Sequence, residues 1–148
     1  MVRTLIGYIG AVVVAHIFGA AAAAQHVISQ FEQMAGEVGV VERLRWTFGD
    51  IVGMATGGIY PVAIAVALLL AFAVAGLIIR RVGGLRTLGF VLAGAAGMLM
   101  MHVILNSVAE INPVAATRGS LGLGLQAVAG ALAGAAYVWL HPDRTAES

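Results

Sequence analysis

Four long apolar runs alternate with shorter polar segments along the chain. The runs cover residues 5–24, 59–79, 87–109 and 120–140. Each is close to or longer than the roughly 18–20 residues that an α-helix needs to cross a bilayer. The pattern predicts an all-α membrane protein: a single integral membrane domain, 1–148, built as a bundle of four transmembrane helices.

The first run also resembles a secretory signal peptide, since Arg3 precedes it and an alanine-rich stretch ends it. Two features favour a retained membrane helix. The run is longer than a usual signal core, and His16 lies in its middle. We therefore interpret it as the first transmembrane helix, with cleavage before Gln25 as the alternative.

The polar connection between the first two runs, residues 25–58, contains a second helical pattern. Apolar residues recur on one face at Val41, Leu44, Phe48, Ile51 and Val52. Trp46 lies in the same stretch, and tryptophan is enriched at membrane–water boundaries. We expect an extracytoplasmic amphipathic helix between transmembrane helices 1 and 2, which either covers the outer end of the bundle or gates a pore mouth.

Polar residues are rare inside the apolar runs, because each costs free energy in hydrocarbon. The third run departs from this, since His102, Asn106 and Glu110 recur at a spacing of four and share one side of a helix. At about 1.5 Å per residue, His16 lies roughly 18 Å along its helix and His102 roughly 22 Å along its own. We expect these histidines to face each other near mid-membrane. With Asn106 and Gln126 they form the candidate polar path or set of interhelical contacts.

Three interpretations of the histidines are open. A neutral imidazole can make an interhelical hydrogen bond, or it can carry protons or ions, because histidine titrates near physiological pH. Alternatively, His102 can bind copper together with the soft thioethers of Met98 and Met101. Methionines on a membrane helix more often serve packing. We expect no cofactor.

A second polar group is predicted at the outer boundary of the membrane. The helix rise brings Gln25 and His26 of the first helix close to the level of Glu110. Arg118 begins the fourth helix at that level and is expected to pair with Glu110, as a salt bridge that fixes the turn between helices 3 and 4.

Small residues at a spacing of four mark two helix faces suited to close packing. The first face consists of Gly89, Ala93 and Gly97, and the second of Gly130 and Gly134. Because such faces let helix backbones approach closely, they predict that the chain associates with itself as a homo-oligomer or with a larger membrane complex.

Composition agrees with a membrane protein and removes other classes. The chain is 61% hydrophobic and 10% charged, which is too apolar for an average soluble domain. The absence of cysteine excludes disulfides, thiolate metal sites and cysteine nucleophiles. A net charge of +1 with no basic cluster gives no case for nucleic acid. Every basic residue is arginine, which points to a GC-rich bacterium and so to its inner membrane.

The placement of arginines predicts the orientation. With four spans, both termini and the turn between helices 2 and 3 share one side. That side holds Arg3, Arg80, Arg81, Arg86 and Arg144, and the other side holds Arg43, Arg45 and Arg118. The excess of basic residues places the N- and C-termini in the cytoplasm. Because the margin is narrow, dual topology is the alternative.

Two classes of function fit these features. The sequence has no phosphate-binding glycine loop, zinc-protease motif or hydrolase triad, so we do not expect an enzyme. The first class is a channel or transporter whose protomers line a polar path, which requires an oligomer because four short spans cannot enclose a wide pore alone. The second is a non-catalytic scaffold or accessory subunit of a membrane complex. In both, the expected surroundings are the lipid bilayer.

Overall fold

Helices make up almost all of the part of the chain that the computed structural model describes, residues 2–82, 85–107 and 119–141. Within these ranges the helices are α1 (Val2–Ala35), α2 (Val40–Thr56), α3 (Ile59–Val82), α4 (Arg86–Ser107) and α5 (Ser120–Leu140). Four of them, α1, α3, α4 and α5, are long and apolar enough to cross a membrane. The prediction of an all-α chain with four such helices is confirmed.

Helix α1 is longer than its predicted span and continues through the polar segment to Ala35. Two glycines with positive φ then set the turns on either side of α2: Gly36, at φ 98°, follows α1, and Gly58, at φ 80°, precedes α3. Residues with a side chain rarely adopt this left-handed backbone region. Pro61 lies in the first turn of α3, where its missing N–H costs no hydrogen bond.

Helix α5 lies between α1 and α4 and packs closely on both. Its closest approach is to α4, where a Cβ on Gly94 would collide with the carbonyl oxygen of Gly130. A Cβ on Gly134 would likewise collide with the Phe90 carbonyl oxygen. Because the two backbones touch at this crossing, the Gly130/Gly134 face predicted for close packing is covered by α4 of the same chain.

The other predicted small-residue face also packs within the chain. On α4, a Cβ on Gly97 would lie 3.0 Å from the Ala71 Cβ, and one on Gly89 would lie 2.7 Å from the Ile79 side chain. Both contacts are with α3. Ala93 is only partly buried between them. The Gly130/Gly134 face is therefore occupied within the chain, whereas the three residues of the other face also line an open groove between α3 and α4.

One end of the bundle is filled by aromatic side chains. The rings of Phe72, Phe90 and Tyr137 pack together, with centroids 4.7–5.5 Å apart, and we call them the aromatic triad. Beyond the triad, Arg86 donates to the backbone oxygen of His141 and lies over the Phe90 ring. This end carries the first residues of α1 and α4 and the last residues of α3 and α5.

At the other end, α2 packs along the second half of α1 without burying any residue of its own. Polar contacts hold it there: Gln25 donates to Thr47, and Arg43 donates to Gln25 and pairs with Glu32. The structure confirms a helix in the predicted segment. Its extracytoplasmic location stays a prediction.

Candidate functional site: a buried polar cluster

Each of the four long helices contributes one polar side chain to a common buried site. His16 comes from α1, Tyr60 from α3, His102 from α4 and Gln126 from α5, and none is more than 8% exposed. The Tyr60 ring is next to both imidazoles, with centroids 5.6 Å from His16 and 6.1 Å from His102. We call these four residues the polar cluster. The structure thus brings three of the predicted path residues together, around a tyrosine.

Both polar atoms of the Gln126 side chain have hydrogen-bond partners. Its Oε1 accepts a hydrogen bond of 3.0 Å from the Tyr60 hydroxyl, and its Nε2 donates 2.9 Å to the Gly19 carbonyl. A Cβ on Gly19 would lie 2.5 Å from that hydroxyl and 2.8 Å from that Oε1, so only glycine leaves room for this arrangement. The side chain of Gln126 therefore ties α1, α3 and α5 together.

The hydrogen bonds of the two histidines fix their neutral tautomers. Nε2 of His16 lies 2.9 Å from the Ile51 carbonyl oxygen of α2, and Nδ1 of His102 lies 2.9 Å from the Met98 carbonyl oxygen. A carbonyl only accepts, so each of these nitrogens carries the hydrogen. The second nitrogen of each neutral ring is then a bare acceptor.

These two acceptor nitrogens, His16 Nδ1 and His102 Nε2, have no hydrogen-bond partner among the described residues, and both are buried. The buried Oδ1 of Asn106, one turn beyond His102 on α4, also has no hydrogen-bond partner among the described residues. A buried polar atom without a partner costs about 1–3 kcal/mol. The cluster can therefore accept further hydrogen bonds at His16 Nδ1 and His102 Nε2, and either nitrogen can take up a proton.

A cleft reaches the cluster from the side of α2. Its volume is about 300 Å³, and it is lined by Asp50, Gly53, Met54, Gly57, Ile59 and Tyr60. Tyr60 belongs to both the cleft and the cluster, and the neighbouring Ile51 carbonyl holds His16. The only acidic side chain of this lining is Asp50. The cleft thus has the exposed Asp50 carboxylate of α2 and the cluster residue Tyr60 in its lining, and neither histidine lines it.

On its opposite side the cluster meets mostly apolar packing among the described residues. Ile64 and Leu68 follow Tyr60 along α3 and are fully buried. The aromatic triad comes next and closes the bundle. Among the described residues, α2 therefore contacts the cluster through the Ile51 carbonyl, and on the opposite side the cluster meets packing that is apolar apart from the Tyr137 hydroxyl.

The remaining predicted residues lie apart from the cluster. Gln25 binds α2 through Thr47 and Arg43, and His26 pairs with Gln30 of its own helix. Glu110 and Arg118 lie outside the described residues. Their predicted salt bridge stays a prediction.

The methionines of the copper hypothesis are buried next to His102. Met98 is fully buried and reaches toward both Gly19 and Gly130, so its side chain fills the space where α4 meets α1 and α5. Met101 is 6% exposed and belongs to the apolar core. The described residues hold no group of three or more histidine, cysteine or acidic side chains placed to bind a metal.

Tyr60 lies at the start of the second apolar run, a position where the sequence predicts a tyrosine at the membrane boundary. In the structure it is 2% exposed and lies at the level of His16 and Gln126. Tyr60 lies inside the bundle because α2 packs back along α1, which places the start of α3 beside His16. The one available signal was that Tyr60 is the only titratable residue in the apolar part of that run.

Fold and cluster together define the class: an all-helical protein with four helices able to span a membrane and a polar site that all four share. The chain matches no protein-family model, no curated protein sequence and no solved structure.

Proposed function

We propose that the protein is a channel- or transporter-type membrane protein in which the polar cluster takes up protons within the membrane. The observation that carries the proposal is the pair of free acceptor nitrogens, His16 Nδ1 and His102 Nε2. A cluster serving only as an interhelical lock gains nothing from leaving acceptors without partners, because each costs stability. Histidine is also the side chain whose charge changes near physiological pH.

The geometry supports a sequence of steps. A proton enters through the cleft past Asp50 and binds His102 Nε2 or His16 Nδ1, which converts that ring to imidazolium. The hydrogen on the other nitrogen stays bonded to the Met98 or Ile51 carbonyl, so the ring keeps its orientation. Tyr60 donates its own hydrogen to Gln126, and it therefore shapes the site instead of carrying the proton.

Passage beyond the cluster requires movement of the packing on its opposite side. Ile64, Leu68 and the two phenylalanines of the triad offer a proton no polar group, Tyr137 adds a single hydroxyl, and a charge in hydrocarbon is costly. We assign the triad the role of barrier, opened by a small shift of α3 against α4 and α5 or by association of several chains. We therefore keep a homo-oligomer as part of the proposal.

The orientation belongs to the proposal as well. In the described residues, the end with the aromatic triad carries Arg3, Arg80, Arg81 and Arg86, whereas every acidic residue lies at the α2 end. The excess of arginine supports cytoplasmic termini, which makes α2 an extracytoplasmic amphipathic helix above the cleft. In a bacterial inner membrane the cluster would then load from the periplasmic side.

The test is proton flux into vesicles that contain the purified protein and a pH-sensitive dye, driven by an imposed potential. His102→Leu and His16→Leu remove the acceptor nitrogens at similar bulk and should each reduce the flux at least tenfold. Leu68→Met is the matched control, since it exchanges one fully buried apolar side chain for another of like volume. Equal flux in all four proteins, or no flux above empty vesicles in the wild type, would refute the proposal.

The alternative is a non-catalytic scaffold or accessory subunit. His102 and Gln126 are both completely buried, and Gln126 has all its main hydrogen-bonding atoms engaged within the chain, which favours a locking role. Under this alternative His102→Leu changes only stability, by about 1 kcal/mol, the scale of interhelical polar contacts in membranes.

A further inference from the structure

An open apolar groove runs along the lipid side of α3 and α4. Its floor consists of small residues, including Ala67 and Ala71 of α3 and Ala93 and Ala96 of α4. It extends from Ala63 to Ile78 along α3, roughly 22 Å at the rise of a helix. The groove has a volume of about 970 Å³, and all its lining residues are apolar. It lies apart from the polar cluster and its cleft.

Two exposed arginines stand at one end of this groove. Ile78 is the last groove residue on α3, and Arg81 follows it by three positions, which places Arg81 on the same face of the helix. Arg80 is its neighbour, and both side chains are exposed. Arg86 of α4 instead contacts His141 and the Phe90 ring.

No acidic side chain accompanies these arginines in the described part of the chain. The acidic residues there, Glu32, Glu37, Glu42 and Asp50, lie at the α2 end of the bundle. The single ion pair among the described residues, Arg43 with Glu32, is also at that end. Among the described residues, the groove thus joins a long apolar surface to two arginines that have no acidic neighbour.

An apolar groove in a membrane can hold either a second copy of the chain or a lipid, and the charge at its end distinguishes the two. A second copy docked with the same orientation would bring its own Arg80 and Arg81 to the same boundary, where like charges repel. A phospholipid with an anionic headgroup supplies the opposite charge and acyl chains for the groove. We propose that the α3–α4 groove binds an anionic phospholipid, with its acyl chains against the alanine floor and its phosphate beside Arg80 and Arg81.

The test is a titration of the full-length protein in detergent with phosphatidylglycerol or phosphatidylcholine, followed by native mass spectrometry. Each arginine at a membrane surface raises affinity for anionic lipid roughly fivefold. The double variant Arg80→Gln/Arg81→Gln should therefore lose the preference for phosphatidylglycerol by on the order of tenfold or more. Arg45→Gln, an exposed arginine on α2, is the charge control and should keep it.

A second pair of variants tests the groove itself. Ala96→Phe fills the groove from an exposed position and should reduce binding of both lipids at least threefold. Ala73→Phe adds the same ring at an exposed alanine of α3 outside the groove and should leave binding unchanged. Equal affinity for the two lipids, or unchanged binding in Ala96→Phe, would overturn the proposal. So would a wild-type dimer that Ala96→Phe converts to monomer, because the occupant is then a second copy.

Discussion

The stability of this bundle rests on a few positions where only one residue type fits. Gly94 and Gly130 meet at the α4–α5 crossing with their backbones in contact, and Gly19 leaves space for the Tyr60–Gln126 hydrogen bond. In hydrocarbon, helix association depends on such close packing and on interhelical hydrogen bonds, since lipid tails are as apolar as the helix surfaces. Single atoms at these positions therefore have large effects.

Gly94→Ala should destabilise the protein more than a typical glycine-to-alanine change in a helix. The added methyl group collides with the Gly130 carbonyl, and overpacking of this kind costs about 1–3 kcal/mol. Gly124→Ala is the matched control, because Gly124 is exposed on α5 and its added methyl group meets nothing within 4 Å. Reversible unfolding in mixed micelles measures both. Equal stabilities would mean that the α4–α5 crossing is looser than described.

A double-mutant cycle tests the hydrogen bond between Tyr60 and Gln126. Tyr60→Phe should lower the free energy of unfolding by about 1 kcal/mol, and Gln126→Leu by more, because it also removes the bond to the Gly19 carbonyl. Together they should lower it by less than the sum, because they share the Tyr60–Gln126 bond. Tyr8→Phe removes a separate bond, from the Tyr8 hydroxyl to the Ala65 carbonyl, and should be additive with Gln126→Leu. Additivity in both cycles would contradict the contact.

At the scale of elements, α2 differs from the four long helices. It buries no residue and is held to α1 by polar groups, whereas α4 and α5 are held by continuous close packing. Elements with little buried apolar area open first. Since α2 also supplies the Ile51 carbonyl to His16, its movement changes both the cleft and the hydrogen bonding of the cluster.

Arg43→Gln should loosen α2 without unfolding the bundle. The change removes the ion pair with Glu32 and weakens the contact with Gln25, the main polar links between α2 and α1. Hydrogen exchange should accelerate several-fold in Val40–Thr56 and stay unchanged in Ser120–Leu140. Arg45→Gln, exposed on the same helix, should leave both rates as in the wild type. Equal protection of α2 in the two variants would show that other contacts hold it, such as the packing of Trp46 on Phe31 of α1.

At the scale of the whole molecule, the proposed orientation rests on the charge difference between the two ends. Reporter fusions at Leu85 and at Ser148 should both report the cytoplasm, and one at Gly36 should report the opposite side. Mixed signals at a single site would indicate dual insertion. Consistent signals with the reverse sign would place the cleft and the polar cluster on the cytoplasmic side.

The sequence predicts the helices well and the site in part, and the difference has a physical cause. Apolar runs of membrane-spanning length define α3, α4 and α5 locally, because the helix satisfies every backbone group by itself. The shared depth of His16 and His102 follows from the helix rise alone. The place of Tyr60 depends on how α2 packs against α1, and the partner of each glycine face depends on the order of helices around the bundle. Neither is encoded in the local pattern.

The central claim is that the polar cluster accepts protons at His102 Nε2 and His16 Nδ1, and nitrogen NMR of histidine-labelled protein in lipid tests it most directly. The chain has four histidines, so single substitutions assign the signals. At neutral pH the spectra should show hydrogen on Nδ1 of His102 and on Nε2 of His16. As the pH of the sample is lowered, the proposed proton uptake requires at least one of these rings to become doubly protonated while the bundle stays folded. Rings that both stay neutral until the bundle unfolds, or that show the opposite tautomers, would contradict the account.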